Sequence, residues 1–216
     1  GKLERFGVRK KSYGASRLAA TLDTWRGRRA AAHGELMAWF DSSDYSRFVA
    51  SFAKFCRTPG AGNRDYTPKP GEPPTPYQVR HVTPSMILNR YENIRSYESL
   101  FEGDARPPVE VLHLLRIECK YLRYNLEFVG NLLGPEVRRV LADLRKLQED
   151  LGELNDAAVS KQLLEQESDA DGTGVTRYQR AQDKVIRRLS SQLETDLQSF
   201  LSYRNRRRLV LAIAWI

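Results

Sequence analysis

The chain has 216 residues, 41% of them hydrophobic and 29% charged, a balance that can fill a core and excludes a wholly disordered tail. A formal net charge of +8 points toward anionic partners: nucleic acid, polyphosphate, nucleotides or an anionic membrane surface. The same excess can also serve solubility alone. No apolar run reaches the roughly 18 residues of a membrane span, and no secretory leader is read at the start.

Residues 1–14 are basic and interrupted by glycines, and read as a frayed segment. Helical spacing of Leu18, Leu22, Trp25, Ala32, Leu36 and Trp39 predicts a helix to about Phe40. Asp41-Ser42-Ser43-Asp44 is a turn rich in N-cap residues. A short helix follows, with Tyr45, Phe48, Val49, Phe52 and Phe55 on one face. Residues 15–62 thus form a first group of helices. Five prolines between 63 and 79 forbid a helix there and mark a linker or surface loop. Residues 80–216 read as a second helical bundle. Its first helix is expected from Thr83-Pro84 to about Phe101, and the next from Pro107-Pro108 to about Leu133. A long helix over about 136–166 carries Val140, Leu144, Leu147, Leu151 and Leu154, spaced by threes and fours as in a bundle seam. A last long helix covers about 175–203. A basic turn Arg204–Arg208 and an apolar end close the chain. No alternating strand pattern occurs, so the fold class is all-α, a bundle of long antiparallel helices.

Two cysteines, Cys56 and Cys119, sit in neither a CxxC pair nor a His/Cys ligand cluster. Cys119 falls on the apolar side of its helix, where a free thiol acts as a small hydrophobe. A reducing compartment is the simpler reading.

The helix after Pro107-Pro108 carries the most informative pattern. At about 100° per residue, His113, Arg116, Lys120, Arg123 and Glu127 share an arc of about 80°. Leu112, Leu115, Cys119, Leu122, Leu126 and Val129 occupy the opposite arc, and Ile117, Tyr121, Tyr124 and Phe128 the other flank. The polar stripe is narrow and walled by apolar surface, like the side of a groove. From His113 to Arg123 it spans roughly 15 Å. Arginine offers phosphate a planar fork, and lysine a mobile point charge. Spacing alone leaves two readings open: an anion site, or pairing of these cations with carboxylates of a neighbouring helix. Glu127 would neutralise one end. On the next helix Arg138, Arg145, Gln148, Gly152 and Asn155 make a second polar stripe, from which Gln148 and Asn155 could hydrogen-bond the first. Gly152 in mid-helix costs about 1 kcal/mol against Ala and suits close approach by another helix or by a ligand, the helix contact being the simpler reading.

These residues resemble a known family. Leu112-His113-Leu114-Leu115-Arg116-Ile117-Glu118-Cys119-Lys120-Tyr121-Leu122-Arg123-Tyr124 is similar to a signature helix of CHAD domains, and Leu147-Gln148 with Leu151-Gly152-Glu153-Leu154-Asn155-Asp156 to the segment that follows it. Ile94-Arg95-Ser96-Tyr97-Glu98, Trp25, Arg29, Phe40-Asp41-Ser42 and Phe55 to Gly60 resemble upstream family segments. The likeness covers most of residues 15–165. It implies two pseudo-symmetric helical bundles around a basic channel, of which this chain supplies half or most. It also implies inorganic polyphosphate as partner, polyphosphate granules in the cytoplasm as location, and a CYTH-type triphosphatase domain as a frequent associate. The family's channel residues carry over to His113, Arg116, Lys120 and Arg123, and more loosely to Arg95 and Lys146. Position 121, often basic in the family, is Tyr here. The family's first signature helix has no counterpart, and residues 5–10 do not match the short segment expected after it.

The expectation is a binding module without catalytic residues, metal or cofactor. Nucleic-acid or nucleotide phosphate binding is the alternative, weakened by a lack of interleaved exposed aromatics. A metal-dependent polyphosphate or triphosphate hydrolase, or an accessory to one, is a further alternative. It is weakened by scattered histidines (His33, His81, His113) and the absence of clustered carboxylates.

Overall fold

The computed structural model describes residues 15–63, 70–71, 73, 76–102, 106–166 and 173–216. The frayed segment 1–14 and much of the Pro-rich stretch lie outside them. The described residues form seven α-helices and no strands: α1 (Ala15–Phe40), α2 (Ser43–Arg57), α3 (Val79–Arg95), α4 (Val109–Phe128), α5 (Val137–Gln166), α6 (Thr173–Leu201) and α7 (Tyr203–Ile213). A 3-10 turn over Glu98–Phe101 follows α3. The chain divides into two compact units, one holding α1 and α2, the other holding α3, α4, α5, α7 and α6 from Arg177.

In the first unit the α1–α2 turn forms as its sequence requires. Ser42 is the N-cap of α2, and its Oγ accepts from the Tyr45 backbone N–H at 3.2 Å. Trp39, Phe40 and Tyr45 meet around the turn with ring centroids 4.9–5.4 Å apart. The expected apolar face of α2 is present, but no residue of that helix is buried. Phe48, Phe52 and Phe55 stack on one another instead, at 5.9 and 6.3 Å.

The second unit has one continuous core. Ile87, Tyr91 and Ile94 come from α3, and Leu112, Leu115, Cys119, Leu122 and Leu126 from α4. Val140, Leu144, Leu147, Leu151 and Leu154 come from α5, Leu193, Leu197 and Phe200 from α6, and Leu209 and Ala212 from α7. Each such leucine contributes about 1.5–3 kcal/mol relative to exposure. The most extensive helix contact is α4 on α5, followed by α3 on α4 and α5 on α7. Cys119 is fully buried and Cys56 exposed, both as free thiols, and burial pushes the Cys119 thiol pKa upward.

Three boundaries differ from the sequence expectation. Helix α3 starts at Val79 rather than Thr83, with Pro84 inside it, and gives way to the 3-10 turn before Phe101. Pro84 is the sixth residue of the helix and cannot bond back to Arg80; Thr83, Ile87, Tyr91 and Ile94 of the same helix are buried, and this packing holds it helical through the proline. Helix α4 stops at Phe128 rather than Leu133. The basic stretch Arg204–Arg208 is helical, not a turn. Ser202 caps α7, its Oγ accepting from the Asn205 N–H at 3.4 Å, and buried Leu209 and Ala212 anchor the helix on the core.

Helices α5 and α6 are joined by charge as well as by leucines. Lys161 Nζ donates to Asp183 Oδ1 at 2.9 Å, and Lys146 Nζ to Asp196 Oδ1. Asp196 also faces Asp150, and Oδ2 of each carboxyl is buried without a donor. Two carboxylate oxygens are both acceptors, so only a proton held between them makes a bond. Burial first, and the Asp196 carboxylate second, push the Asp150 pKa upward. A folded-state value above the unfolded one gives stability that is full below the ordinary aspartate range and is lost as pH rises through the folded value. Asp150→Asn stays neutral and adds a donor. It is expected to raise the Tm at about pH 7, with a gain that shrinks toward about pH 4. Thermal unfolding at the two pH values checks this.

Candidate functional site

The leucine arc of α4 fixes the rotation of that helix, and with it the direction of the polar stripe. His113, Arg116, Lys120 and Arg123 are all half-buried. They lie between the core arc and the outer flank of α4, beside α5. His113 Nδ1–H donates to Asn155 Oδ1 at 2.8 Å, which directs the other ring nitrogen away from that bond. One turn along, Gly152 of α5 lies beside Arg116: a Cβ built there would sit 4.0 Å from Arg116 Nε. Positions on α5 thus fall as positions on α4 rise, and the two stripes face each other antiparallel.

Arg116, Lys120 and Arg123 form no ion pair with any carboxylate among the described residues. Pairing with a neighbouring helix, left open by spacing alone, does not occur there. Arg123 Nε is buried without an acceptor, and so is Gln148 Nε2 on α5. Lys120 Nζ and Arg123 Cζ lie 5.9 and 4.9 Å from the Tyr124 ring centroid, a contact that stabilises a cation without cancelling its charge. Glu127 does not neutralise the stripe as expected. Its Oε1 accepts from Arg145 Nη2 of α5 at 3.0 Å, so the acid is spent on the facing helix. Glu118, two residues from Arg116, is likewise turned away, toward Arg90 and Asn93 of α3 at 3.2 Å each. The result is a row of cations, part-shielded from water, whose nearby acids are engaged elsewhere. An anion with several oxygens fits such a row, since each oxygen can take donors that have no other partner.

Among the described residues no hydrogen bond or ion pair joins the two looser candidates to this row. Arg95, on α3, pairs with Glu92 at 3.4 Å and Glu98 at 3.8 Å. Lys146 pairs with Asp196 of α6. Sequence reading missed the state of the outer flank of α4. It was expected as an apolar wall, whereas Tyr121, Tyr124 and Phe128 are exposed. The supposed lack of exposed aromatics beside the cations is therefore corrected. The signal was present in the angular count, but periodicity does not say which of two apolar arcs meets the core. Among the described residues no group of three His, Cys, Asp or Glu side chains is placed to hold a metal ion, and no helix is long and apolar enough to cross a membrane.

The family model for the CHAD domain matches residues 3–165. The match begins ahead of the stretch at 5–10 that reads as a departure, and it ends at the last turn of α5. Among curated proteins no match is found.

Gly152 gives a direct test of the facing geometry. A methyl group there makes ordinary contact with Arg116 and removes the helix penalty of glycine, so Gly152→Ala is expected to stabilise by about 1 kcal/mol. Gly152→Leu must displace the Arg116 side chain and is expected to lose that gain. Chemical denaturation of the two variants distinguishes them.

Proposed function

The chain belongs to the CHAD domain family, and on that premise we propose that it binds inorganic polyphosphate, or a polyanion of the same kind, along the groove of His113, Arg116, Lys120 and Arg123. One observation carries this reading. Three half-buried cations share a helix face with no carboxylate partner among the described residues, and one of them holds a buried donor without an acceptor. A buried unpaired donor costs about 1–3 kcal/mol, and a phosphate oxygen at Arg123 would remove that cost. His113, already donating from Nδ1, has its second nitrogen left for a phosphate oxygen when protonated. Arg95 and Lys146 are proposed as outlying contacts: the Arg95 pairs are exposed and exchange one anion for another easily, whereas Lys146 would have to leave Asp196, whose side chain is 11% exposed.

The role proposed is that of a binding module without chemistry of its own, cytoplasmic and held at polyphosphate granules, with a CYTH-type triphosphatase as associate. The pseudo-symmetric two-bundle arrangement of the family is proposed with it, of which this chain would supply half or most.

Retention on immobilised polyphosphate is expected to fall steeply with added salt and to grow with polymer length, through counterion release and multivalency. Replacing Arg116, Lys120 and Arg123 together by Ala is expected to abolish retention while leaving the thermal transition in place. Unchanged retention would sink the site assignment. Incubation of the wild-type chain with polyphosphate, with and without Mg²⁺, is expected to release no phosphate above the protein-free blank. Release would move the reading to the hydrolase.

A further inference from the structure

Beyond the cation row, α4 does not turn back into the core. The next arc, at about 100° per residue, holds Tyr124, Ile117, Phe128, Tyr121 and Leu114. Leu114 is 52% exposed, Tyr121 48%, Tyr124 47% and Phe128 88%. This apolar row runs alongside Arg116, Lys120 and Arg123 for the length of the helix. The two rows touch at Tyr124, against which both Lys120 and Arg123 are placed. On the far edge Arg90 Cζ lies 4.8 Å from the Tyr121 ring centroid, its own charge answered by Glu118. Phe128, at the end where Glu127 is tied to Arg145, makes no ring contact among the described residues.

Bare polyphosphate has no apolar surface to set against such a row. An apolar protein surface laid over it would also take unpaired cations out of water, a cost that no carboxylate of this chain offsets. The occupant that suits both rows is an anionic polymer carrying flat rings. We infer that this face of α4 takes single-stranded nucleic acid, with phosphates on Arg116, Lys120 and Arg123 and bases stacked on Tyr121, Tyr124 and Phe128. Cations on one side and aromatic faces on the other are how single strands are held without sequence readout, because every base has a π-face. A duplex, whose bases are already stacked, gains nothing from the rings. The inference rests on the reading of the cation row as an anion site and adds the base as a second element of recognition.

The test compares three labelled polyanions with the same number of phosphates on the full chain: oligothymidylate, an abasic oligodeoxynucleotide, and polyphosphate. Fluorescence anisotropy at one salt concentration is expected to show oligothymidylate bound at least about tenfold more tightly than the abasic oligomer. The double variant Tyr121→Ala/Phe128→Ala, which keeps Tyr124, is expected to remove most of that difference and leave polyphosphate and the abasic oligomer unchanged. Phe128→Ala alone, at a side chain with almost no packing to lose, is expected to give part of the effect if the double variant fails to fold. Equal affinity for oligothymidylate and the abasic oligomer, with polyphosphate retained, overturns this inference and leaves the polyphosphate reading standing. Loss of all three ligands from the wild-type chain overturns both. Self-association of the wild-type chain that Phe128→Ala abolishes overturns the inference in favour of a protein contact on this face.

Discussion

Where α4 packs on α5, Leu115, Leu122 and Leu126 of one helix and Leu144, Leu147 and Leu151 of the other lie at or near zero exposure. That seam sets the rotation of α4 about its own axis, and every other property of the helix follows from it. With the leucine arc held inward, the cations have nowhere to go but the edge of the seam. The next arc of the helix has nowhere to go but outward. The polar bond from His113 to Asn155 then ties the two helices in one register. A cation on a rotating surface helix could swing into water. These can do so only by disturbing leucines that each contribute about 1.5–3 kcal/mol.

Acidic residues are not scarce around this row; they are committed elsewhere. Glu127 goes to α5, Glu118 to α3, and Asp150 with Asp196 to the α5–α6 contact. The formal charge of +8 over the whole chain says little about where charge is uncompensated. The ion-pair pattern says much more. Among the described residues it leaves Arg116, Lys120 and Arg123 of α4 without an acid, as it does Arg204 and Arg207 of α7, whereas Arg208 is shared between Glu136 and Asp143 at 3.9 Å each.

Much of this is legible in the residues. The 3.6-residue period locates the long helices and puts the arc containing Cys119 inside; of Gln148 and Asn155, both offered by spacing as partners for the stripe, Asn155 bonds His113 while Gln148 Nε2 has no acceptor. The errors share a physical cause, which is that a single helix does not know its neighbours. Tyr121, Tyr124 and Phe128 look as buriable as Leu115 and Leu122, and only packing tells the two arcs apart. Phe48, Phe52 and Phe55 on α2 show the same ambiguity. Glu127 was assigned to its own helix because its rival, Arg145, is 18 positions away. Arg204–Arg208 read as a turn because its charges hid the anchoring of Leu209 and Ala212, a tertiary effect that outweighs local composition.

The buried, acceptor-less Nε of Arg123 has a consequence for how the protein behaves in different buffers. On the proposed reading, cations beside a low-dielectric seam would also hold small anions of the buffer, and the groove would exchange one occupant for another. A polymer would then have to displace chloride, acetate or sulfate, ions that differ in charge and in the number of oxygens they present. Two solutions of equal ionic strength are then not equivalent for this chain. The chemical identity of the background anion becomes a variable of both its stability and its apparent affinity.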